Sequence, residues 1–221
     1  MRALLISVAV LLGVSSFAGA QPYIGSTSPR GGSVEMGGSV IWTGGFDAGD
    51  RPATETANGA GSPFTLFTTT SDVMGAAGVD ARLGVYLGQR VSVEGSLQYS
   101  RPTLQTHIAD DFENAPPVTA KATLSSYLIG GSVLYHFGSG TVVPFVSGGA
   151  GYLRQLQENA ADALTGTEFH GGGGLKVWFG DRRSRFGLRV DAQASSRSKS
   201  ISFEQKRRIV PTVGFGVSYL F

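Results

Sequence analysis

Beyond an apolar leader, the chain alternates apolar and polar residues with a period of two, the pattern of β-strands whose two faces meet different surroundings. Between Val79 and Leu87 every odd position is apolar, whereas Asp80 and Arg82 stand between them. The same alternation predicts eight strands, over residues 34–44, 78–87, 91–100, 125–137, 142–153, 172–179, 185–194 and 212–221. In the fifth of these segments the alternation does not assign the two faces. No long segment after the leader has a helical period, so the pattern predicts an all-β protein.

The predicted connections alternate in length. Three are short and contain glycine, at residues 88–90, 138–141 and 180–184. Four are long, at residues 45–77, 101–122, 154–170 and 195–210, although the run 64–70 is a candidate extension of the second strand. Short turns at one end and long loops at the other are typical of outer-membrane barrels, whose short turns face the periplasm. The sequence therefore predicts one antiparallel up-and-down transmembrane β-barrel of eight strands, and loop 45–77 is expected to be flexible.

The charged residues assign the two faces of the predicted strands. Where alternation is clear, the apolar positions carry no Asp, Glu, Lys or Arg, and the opposite positions carry Glu35, Asp80, Arg82, Glu94, Lys176, Arg189 and Asp191. A lysine or arginine that faces hydrocarbon at the bilayer midplane costs about 2–4 kcal/mol, so these groups are expected inside. The interior of an eight-stranded barrel is just wide enough for side chains to fill. Four acids and three bases there predict a hydrogen-bonded ionic network in the lumen.

Aromatic residues lie near the ends of several predicted strands, namely Tyr99, Tyr135, Phe137, Tyr219 and Phe221. Amphipathic rings at the ends of spanning segments are typical of the interfacial girdles of membrane proteins. The alternative is a soluble β-sandwich in which these rings belong to an ordinary core, since alternation alone does not say which face is wet.

The N-terminal residues indicate export from the cytoplasm. Arg2 precedes an apolar run over residues 4–14, and Ala18-Gly19-Ala20 fits the small-residue pattern of a cleavage site. We therefore interpret residues 1–20 as a signal peptide, residues 21–32 as a short periplasmic segment and residues 33–221 as the barrel. A membrane anchor is the alternative for the leader, although its apolar run is about half of the roughly 20 residues that a spanning helix needs.

Composition excludes several kinds of site. The chain has 221 residues and no cysteine, which excludes disulfides and thiolate metal sites. A net charge of +2 is too small to predict nucleic-acid binding. The glycine run 171–174 lacks the spacing of a phosphate-binding loop, and the three histidines are far apart in sequence. We expect no cofactor, no metal and no nucleic-acid partner.

Three stretches carry a family resemblance. The terminal run 213–221 alternates apolar residues and ends in an aromatic, and it resembles the assembly signal of bacterial outer-membrane barrels through Phe215, Val217, Tyr219 and Phe221. Runs 143–152 and 172–179, with 186–191, resemble strands of the OmpA/OmpX-like outer membrane protein beta-barrel domain family. The resemblance implies an outer-membrane protein inserted by the barrel-assembly machinery and surrounded by outer-membrane lipids and lipopolysaccharide. It implies no single activity; we expect a monomer.

Three functions are compatible with these features. The first is a structural or surface-interaction role through the long loops, without catalysis. The second is a narrow channel for ions or small solutes past the charged lumen residues. The third is a lipid-A-modifying enzyme, for which His107, with Ser100, Asp110 and Asp111, or His170 would be candidates.

Two long loops carry clustered charge. The last long loop is basic, with Arg197, Lys199, Lys206, Arg207 and Arg208. This cluster predicts either contacts with lipopolysaccharide phosphates or a solvated loop. The second holds Asp110, Asp111 and Glu113, which lack the spacing of a calcium motif.

Overall fold

The computed structural model describes residues 29–56, 63–109, 115–138, 140–157, 163–179, 185–198 and 207–221. The described residues form eleven strands: β1 (Val34–Thr43), β2 (Phe46–Thr56), β3 (Pro63–Val73), β4 (Ala76–Tyr86), β5 (Val91–Ser100), β6 (Thr103–Ala109), β7 (Val118–His136), β8 (Val142–Gln157), β9 (Ala163–Phe179), β10 (Arg185–Ser198) and β11 (Arg208–Leu220). Within these ranges no helix is long and apolar enough to cross a membrane. The predicted signal peptide lies outside the described residues.

Eight of the strands close into an antiparallel barrel, in the order β1, β4, β5, β7, β8, β9, β10 and β11. The first and last strands of the chain complete the ring, with Val40 opposite Phe215 and Trp42 opposite Val213. This confirms the predicted eight-stranded barrel. Closure also leaves the barrel without an unpaired edge, which a structure in hydrocarbon requires because no water is present to bind free backbone groups.

Above the barrel, four strand segments form a second sheet, which we call the outer sheet. It consists of β2, β3, β6 and residues 118–123 of β7, paired in that order. The prediction of long loops at 45–77 and 101–122 was therefore wrong for most of these residues, and 154–170 and 195–210 are partly strand as well. The strands were missed because threonine-rich segments with two polar faces lack apolar alternation. Only the suggested strand extension at 64–70 lies where the structure has β3.

The outer sheet begins where the strands of the barrel wall are interrupted, at 44–45, 74–75 and 101–102. The backbones approach closely here: a Cβ on Gly45 would lie 2.9 Å from the amide nitrogen of Gly75. Hydrogen bonds bridge the break, from Met74 N to Thr103 O and from Leu124 N to Pro102 O. Beside it, a small apolar cluster packs the outer sheet onto the barrel mouth; its members are Phe46, Ala48, Val73, Leu104 and Leu124.

The two faces of the barrel wall have opposite chemistry. Large apolar side chains point outward and are exposed, for example Leu83 at 53% and Ile129 at 61%. The charged side chains between them point inward and are buried. Strand β8 follows the same rule, since Val143 and Phe145 are buried whereas Val146 is exposed. An exposed apolar belt of this extent fits hydrocarbon and not water, which favours the membrane barrel over the soluble sandwich.

Aromatic side chains mark the two borders of this belt. On β7, Tyr127 is paired with Tyr99, their ring centroids 5.0 Å apart, and Tyr135 packs against Phe137 at 5.1 Å. Tyr135 comes eight positions after Tyr127, so the two residues are about 27 Å apart along the strand at about 3.4 Å per residue. With the usual tilt of about 40°, this becomes about 21 Å along the membrane normal, close to the apolar band of about 25 Å in outer-membrane barrels.

Leu83 lies midway between the two aromatic borders on β4, so it provides a test of the lipid-facing belt. We expect Leu83→Arg to lower the free energy of unfolding in lipid vesicles by about 2–4 kcal/mol, because a guanidinium replaces an alkyl group at the midplane. Urea unfolding followed by tryptophan fluorescence measures this change. Gln89→Arg, in the exposed periplasmic turn, is the control and should leave the midpoint unchanged. Equal midpoints for the two variants would contradict a lipid-facing Leu83.

Candidate functional site: the lumen of the barrel

Five charged side chains meet at mid-height in the lumen: Asp80, Arg82, Glu94, Arg189 and Asp191. Arg82 Nε donates to Asp80 Oδ2 at 2.6 Å, and Arg82 Nη1 donates to Asp191 Oδ1 at 2.9 Å. A second bond, from Arg82 Nη2 to Asp191 Oδ2 at 3.3 Å, makes this contact bidentate. Strands β4 and β10 are separated by β1 and β11 in the barrel wall. The Arg82–Asp191 pair therefore reaches across the lumen between non-adjacent strands.

Arg189 joins the same cluster from β10. Its Nη1 donates to Glu94 Oε2 at 2.6 Å, and its Nε donates to Asp191 Oδ1 at 3.2 Å. Asp191 also accepts a bond from Gln193 Nε2 at 3.2 Å. Each carboxylate of the cluster is thus paired with an arginine, and Asp191 contacts both. Buried ion pairs offset their desolvation only when such additional hydrogen bonds are made.

The remaining two predicted lumen residues form a separate pair. Lys176 Nζ donates to Glu35 Oε2 at 2.6 Å, and the Tyr86 hydroxyl donates to the same oxygen at 2.9 Å. The ammonium group also lies 5.8 Å from the ring centroid of Tyr86, 5.5 Å from that of Phe145 and 6.0 Å from that of Trp178. Because the ammonium group is buried away from water, its cation–π attraction to these rings stabilises it in addition to the ion pair with Glu35.

The periplasmic end of the lumen is filled by a cluster that we call the inner plug, formed by Tyr86, Val143, Trp178 and Leu220. His136 stacks on Tyr86 with ring centroids 5.1 Å apart, and its Nε2 is 3.0 Å from Ser92 Oγ. Buried leucines on the inner face of the wall occupy further space, namely Leu124, Leu128, Leu134 and Leu153. Side chains thus fill the lumen from the inner plug through the ionic cluster.

The outer half of the lumen holds a polar chain that the sequence did not indicate. His170 Nε2 is 2.7 Å from Ser132 Oγ, and His170 Nδ1 is 3.8 Å from Glu168 Oε1. Glu168 in turn accepts a bond from Arg197 Nε at 2.6 Å. Serine, histidine and glutamate resemble a hydrolytic triad, but 3.8 Å is too long for the hydrogen bond that orients a catalytic histidine. The side chains of Ser132, His170 and Glu168 also face the lumen and not the lipid.

Gly149 explains how His170 reaches Ser132 across β8. In register, Gly149 stands between Ser132 of β7 and His170 of β9. A Cβ on Gly149 would lie 2.7 Å from His170 Nε2 and 2.8 Å from Ser132 Cα, and it would collide with the carbonyl oxygen of Gly131. The glycine in the middle strand is the sequence signal for this contact, but it is visible only once the register is known.

The predicted basic loop is corrected by the position of Arg197. This residue is buried and paired with Glu168, because β10 continues to Ser198 and its odd positions face the lumen. Arg208 is half-buried and Arg207 is exposed, whereas Lys199 and Lys206 lie outside the described residues. The five residues therefore do not form one solvent-facing patch.

Of the enzyme candidates at the outer end, His107 and Ser100 are described, and the structure does not bring these two together. His107 is exposed and pairs in register with Thr119, whose Oγ1 is 3.1 Å from His107 Nδ1. Ser100 pairs instead with Ser126 and Gly78. Asp110, Asp111 and Glu113 lie outside the described residues. In the ranges that the structure covers, no group of three or more acidic or histidine residues is placed to hold a metal ion.

The residues that resemble an assembly signal all point outward from β11, the strand that closes the barrel. Phe215, Val217, Tyr219 and Phe221 are exposed, and the rings of Tyr219 and Phe221 are 4.7 Å apart. They form part of the apolar belt and of its inner aromatic border.

These features define a closed, side-chain-filled antiparallel barrel of the outer-membrane type. Residues 6–221 match the outer membrane protein beta-barrel domain family, and the chain belongs to this family. The family places it among proteins of the bacterial outer membrane. No curated protein matches the chain.

Among solved structures, the outer membrane protein OprG from Pseudomonas aeruginosa is similar, with a TM-score of 0.54 and 12% identity over 89% of this chain and 99% of OprG. For Ail, the attachment invasion locus protein of Yersinia pestis, the TM-score is 0.48 and the identity 13%, over 87% of this chain and 100% of Ail. For the N-terminal barrel domain of Pseudomonas aeruginosa OprF, the TM-score is 0.44 and the identity 16%, over 87% of this chain and 100% of that domain. The likeness to OprG shows the shared fold alone.

The Lys176–Glu35 pair can be tested by removing one charge and then both. We expect Lys176→Met to lower the free energy of unfolding by about 3–5 kcal/mol, because Glu35 is left buried without its counter-charge. Adding Glu35→Gln should recover most of this loss, since the Gln oxygen still accepts the Tyr86 hydroxyl. Urea unfolding of both single variants and the double variant gives the coupling energy. Additive effects would show that the two side chains do not interact.

Gly149→Ala tests the contact between His170 and Ser132. The added methyl group has no room, so we expect a loss of about 1–3 kcal/mol in the free energy of unfolding. Gly148→Ala is the matched control, because its Cβ would point outward and meet nothing nearer than His170 O at 3.9 Å. Equal urea midpoints for the two alanine variants would contradict the placement of His170 over Gly149.

Proposed function

We propose that the protein is a non-conducting outer-membrane scaffold without catalytic activity, whose outer sheet presents an interaction surface outside the cell. The observation that carries this proposal is the filled lumen: Arg82 bonds to Asp191 across the barrel, and the inner plug lies below. A narrow channel would need a water path past these charged residues, and their burial and mutual pairing argue against one.

The outer sheet supports the second half of the proposal. It extends the wall beyond the outer aromatic border as paired strands, so its side chains stand at fixed positions above the membrane. Its outward face is polar: Asp47 is paired with Asp72, which is followed across the sheet by Gln105 and Lys121. Like charges directly opposite each other destabilise a sheet, so the Asp47–Asp72 pair is not explained by stability. Interaction surfaces are commonly built in this way, on segments that a rigid scaffold positions.

A lipid-A-modifying activity has less support. Such an enzyme needs its nucleophile and base at the lipid-facing outer rim, whereas Ser132 and His170 meet inside the lumen. His107 contacts Thr119 and not a serine nucleophile near lipid.

The surroundings of the protein follow from the same proposal. A signal peptide at residues 1–20 would export the chain, and the barrel-assembly machinery would recognise its terminal apolar run. Outer-membrane lipids and lipopolysaccharide would cover the apolar belt. A monomer suffices, since one chain closes the barrel through β1 and β11.

Two measurements on one pair of proteins test the proposal. The variant replaces residues 45–74 by a short glycine turn, which the pairing of Thr43 with Ala76 allows. Both proteins should run faster on unboiled gels and give no current steps in planar bilayers. Cells that carry the full protein should adhere to epithelial monolayers or plastic more strongly than cells that carry the variant. Discrete current steps from the full protein would favour the channel, and equal adherence would reject β2 and β3, which hold the Asp47–Asp72 pair, as the interaction surface.

A further inference from the structure

We infer that the edge of β7 in the outer sheet, residues 118–123, binds an extended segment of another protein as an added β-strand, with a carboxylate of that segment opposite Lys121. The inference rests on the proposed function, because it takes the outer sheet as the interaction surface. It deepens that proposal by naming the edge that is used and the chemistry of the partner that fits it.

One side of this part of β7 has no partner strand among the described residues. Residues 118–123 pair with β6 on one side. On the other side, β8 accompanies β7 as far as the pair Gln157–Leu124 and ends there. The side chains at 118–123 are exposed or half-buried. An unpaired strand in water presents a row of N–H and C=O groups to which a further strand can add.

The alternation of the strand identifies which backbone groups lie on the unpaired side. Leu124 N donates to Pro102 O, which is on the side of β6. Successive residues of a strand direct their backbone groups to opposite sides, so the even residues of this segment pair with β6. Its odd residues, Thr119, Lys121 and Thr123, therefore direct their N–H and C=O groups away from β6. Each of the three offers one donor and one acceptor to an added antiparallel strand.

The opposite edge of the outer sheet, formed by β2, is protected against such an addition. It contains Pro52, which has no N–H group, directly after the charged residues Asp50 and Arg51. Its pairing with β3 is irregular at two points. Proline, charged side chains and bulges are the usual protection of edge strands. Residues 118–123 contain no proline, pair with β6 in unbroken register and carry one charge, that of Lys121, so this edge is the more open one.

Lys121 selects the partner by its charge. If a second copy of the chain added here with all three odd residues in use, Thr119 would lie opposite Thr123 and Lys121 opposite the same lysine of the copy. Like charges directly opposite each other destabilise a pair of strands, whereas opposite charges stabilise it. Lys121 is exposed and forms no ion pair with the part of the chain that the structure covers. A strand with a carboxylate at this position therefore fits better than a second copy.

The even residues of the segment determine the other face of the partner. Ala120 is exposed and Ala122 half-buried, and Val118 keeps 57% of its surface exposed. Side chains as small as alanine leave room for larger apolar neighbours on an added strand, and β-branched residues pack well in such positions. The predicted partner segment thus alternates polar and apolar residues around a central acid.

The test measures the binding of fluorescent peptides to the full protein in detergent by anisotropy. The glutamate peptide, Val-Thr-Val-Glu-Val-Thr-Val with blocked ends, has the predicted pattern, and the lysine peptide has lysine at its centre. The methylated peptide is the glutamate peptide with N-methyl groups on its threonine and glutamate nitrogens, which removes the N–H groups that would face β7.

Three protein variants accompany the wild type. Lys121→Glu reverses the charge, and Thr119→Pro removes one N–H group on the unpaired side, a substitution that edge strands tolerate. Arg90→Glu reverses the charge of an exposed arginine at the periplasmic end and is the control. Heat-modifiable gel mobility shows that each variant is folded.

We expect the wild type and Arg90→Glu to bind the glutamate peptide about fivefold more tightly than the lysine peptide, and Lys121→Glu to show the reverse preference. Thr119→Pro should bind the glutamate peptide about fivefold more weakly than the wild type, because a backbone hydrogen bond is lost while the charge of Lys121 remains. The methylated peptide should not bind.

Equal binding of the glutamate and lysine peptides by the wild type, or undiminished binding of the methylated peptide, would overturn the added strand. Clustering of vesicles that carry the protein, without any peptide, would assign the edge to a second copy and overturn the foreign partner. If no peptide binds although adherence depends on residues 45–74, this edge is refuted and the proposed function stands. If the glutamate peptide binds as expected but adherence does not depend on residues 45–74, the edge is supported and the β2–β3 surface is rejected.

Discussion

The structure depends on one constraint, which is that hydrocarbon accepts neither free backbone polar groups nor unpaired charges. Closure through β1 and β11 satisfies the backbone, and turning every second residue inward removes the charges from lipid. Inside, the charges must then find each other, because a buried ion without a partner costs several kcal/mol. Arg82, Arg189 and Asp191 meet this need by bonding between strands that are not neighbours in the wall. The same contacts therefore stabilise the barrel and fill it.

Filling the lumen limits where function can reside. Lys176 is held by Glu35 and lies near three aromatic rings, which supports the proposal that the lumen does not conduct. The outer face of the barrel wall is committed to lipid along the apolar belt. What remains is the outer sheet. Its side chains take part neither in the lumen network nor in the hydrophobic match, which leaves them free to serve binding.

The sequence predicted the barrel well because period-two alternation and charge position are local signals of a two-sided wall. Other features depend on register, which no local pattern reveals. Arg82 and Asp191 are 109 positions apart, and Arg197 was interpreted as a loop residue although it continues the inward face of β10. The outer sheet was missed for another reason. Segments such as Thr68-Thr69-Thr70 are polar on both faces, since water and not lipid lies outside them, and they carry no alternation to detect.

The breaks at 44–45, 74–75 and 101–102 lie where the lipid-facing barrel wall meets the outer sheet. Below them, each strand has one apolar and one polar face, and a change of register by one residue would turn charges toward lipid. Above them, both faces of the outer sheet tolerate polar residues, so register is less strictly specified by burial. The close approach of Gly45 to Gly75 and the cluster around Val73 and Leu104 hold the two parts together. The outward residues of the sheet can thus vary in chemistry without disturbing either the lumen pairs or the lipid contact, which is the physical basis for placing recognition there.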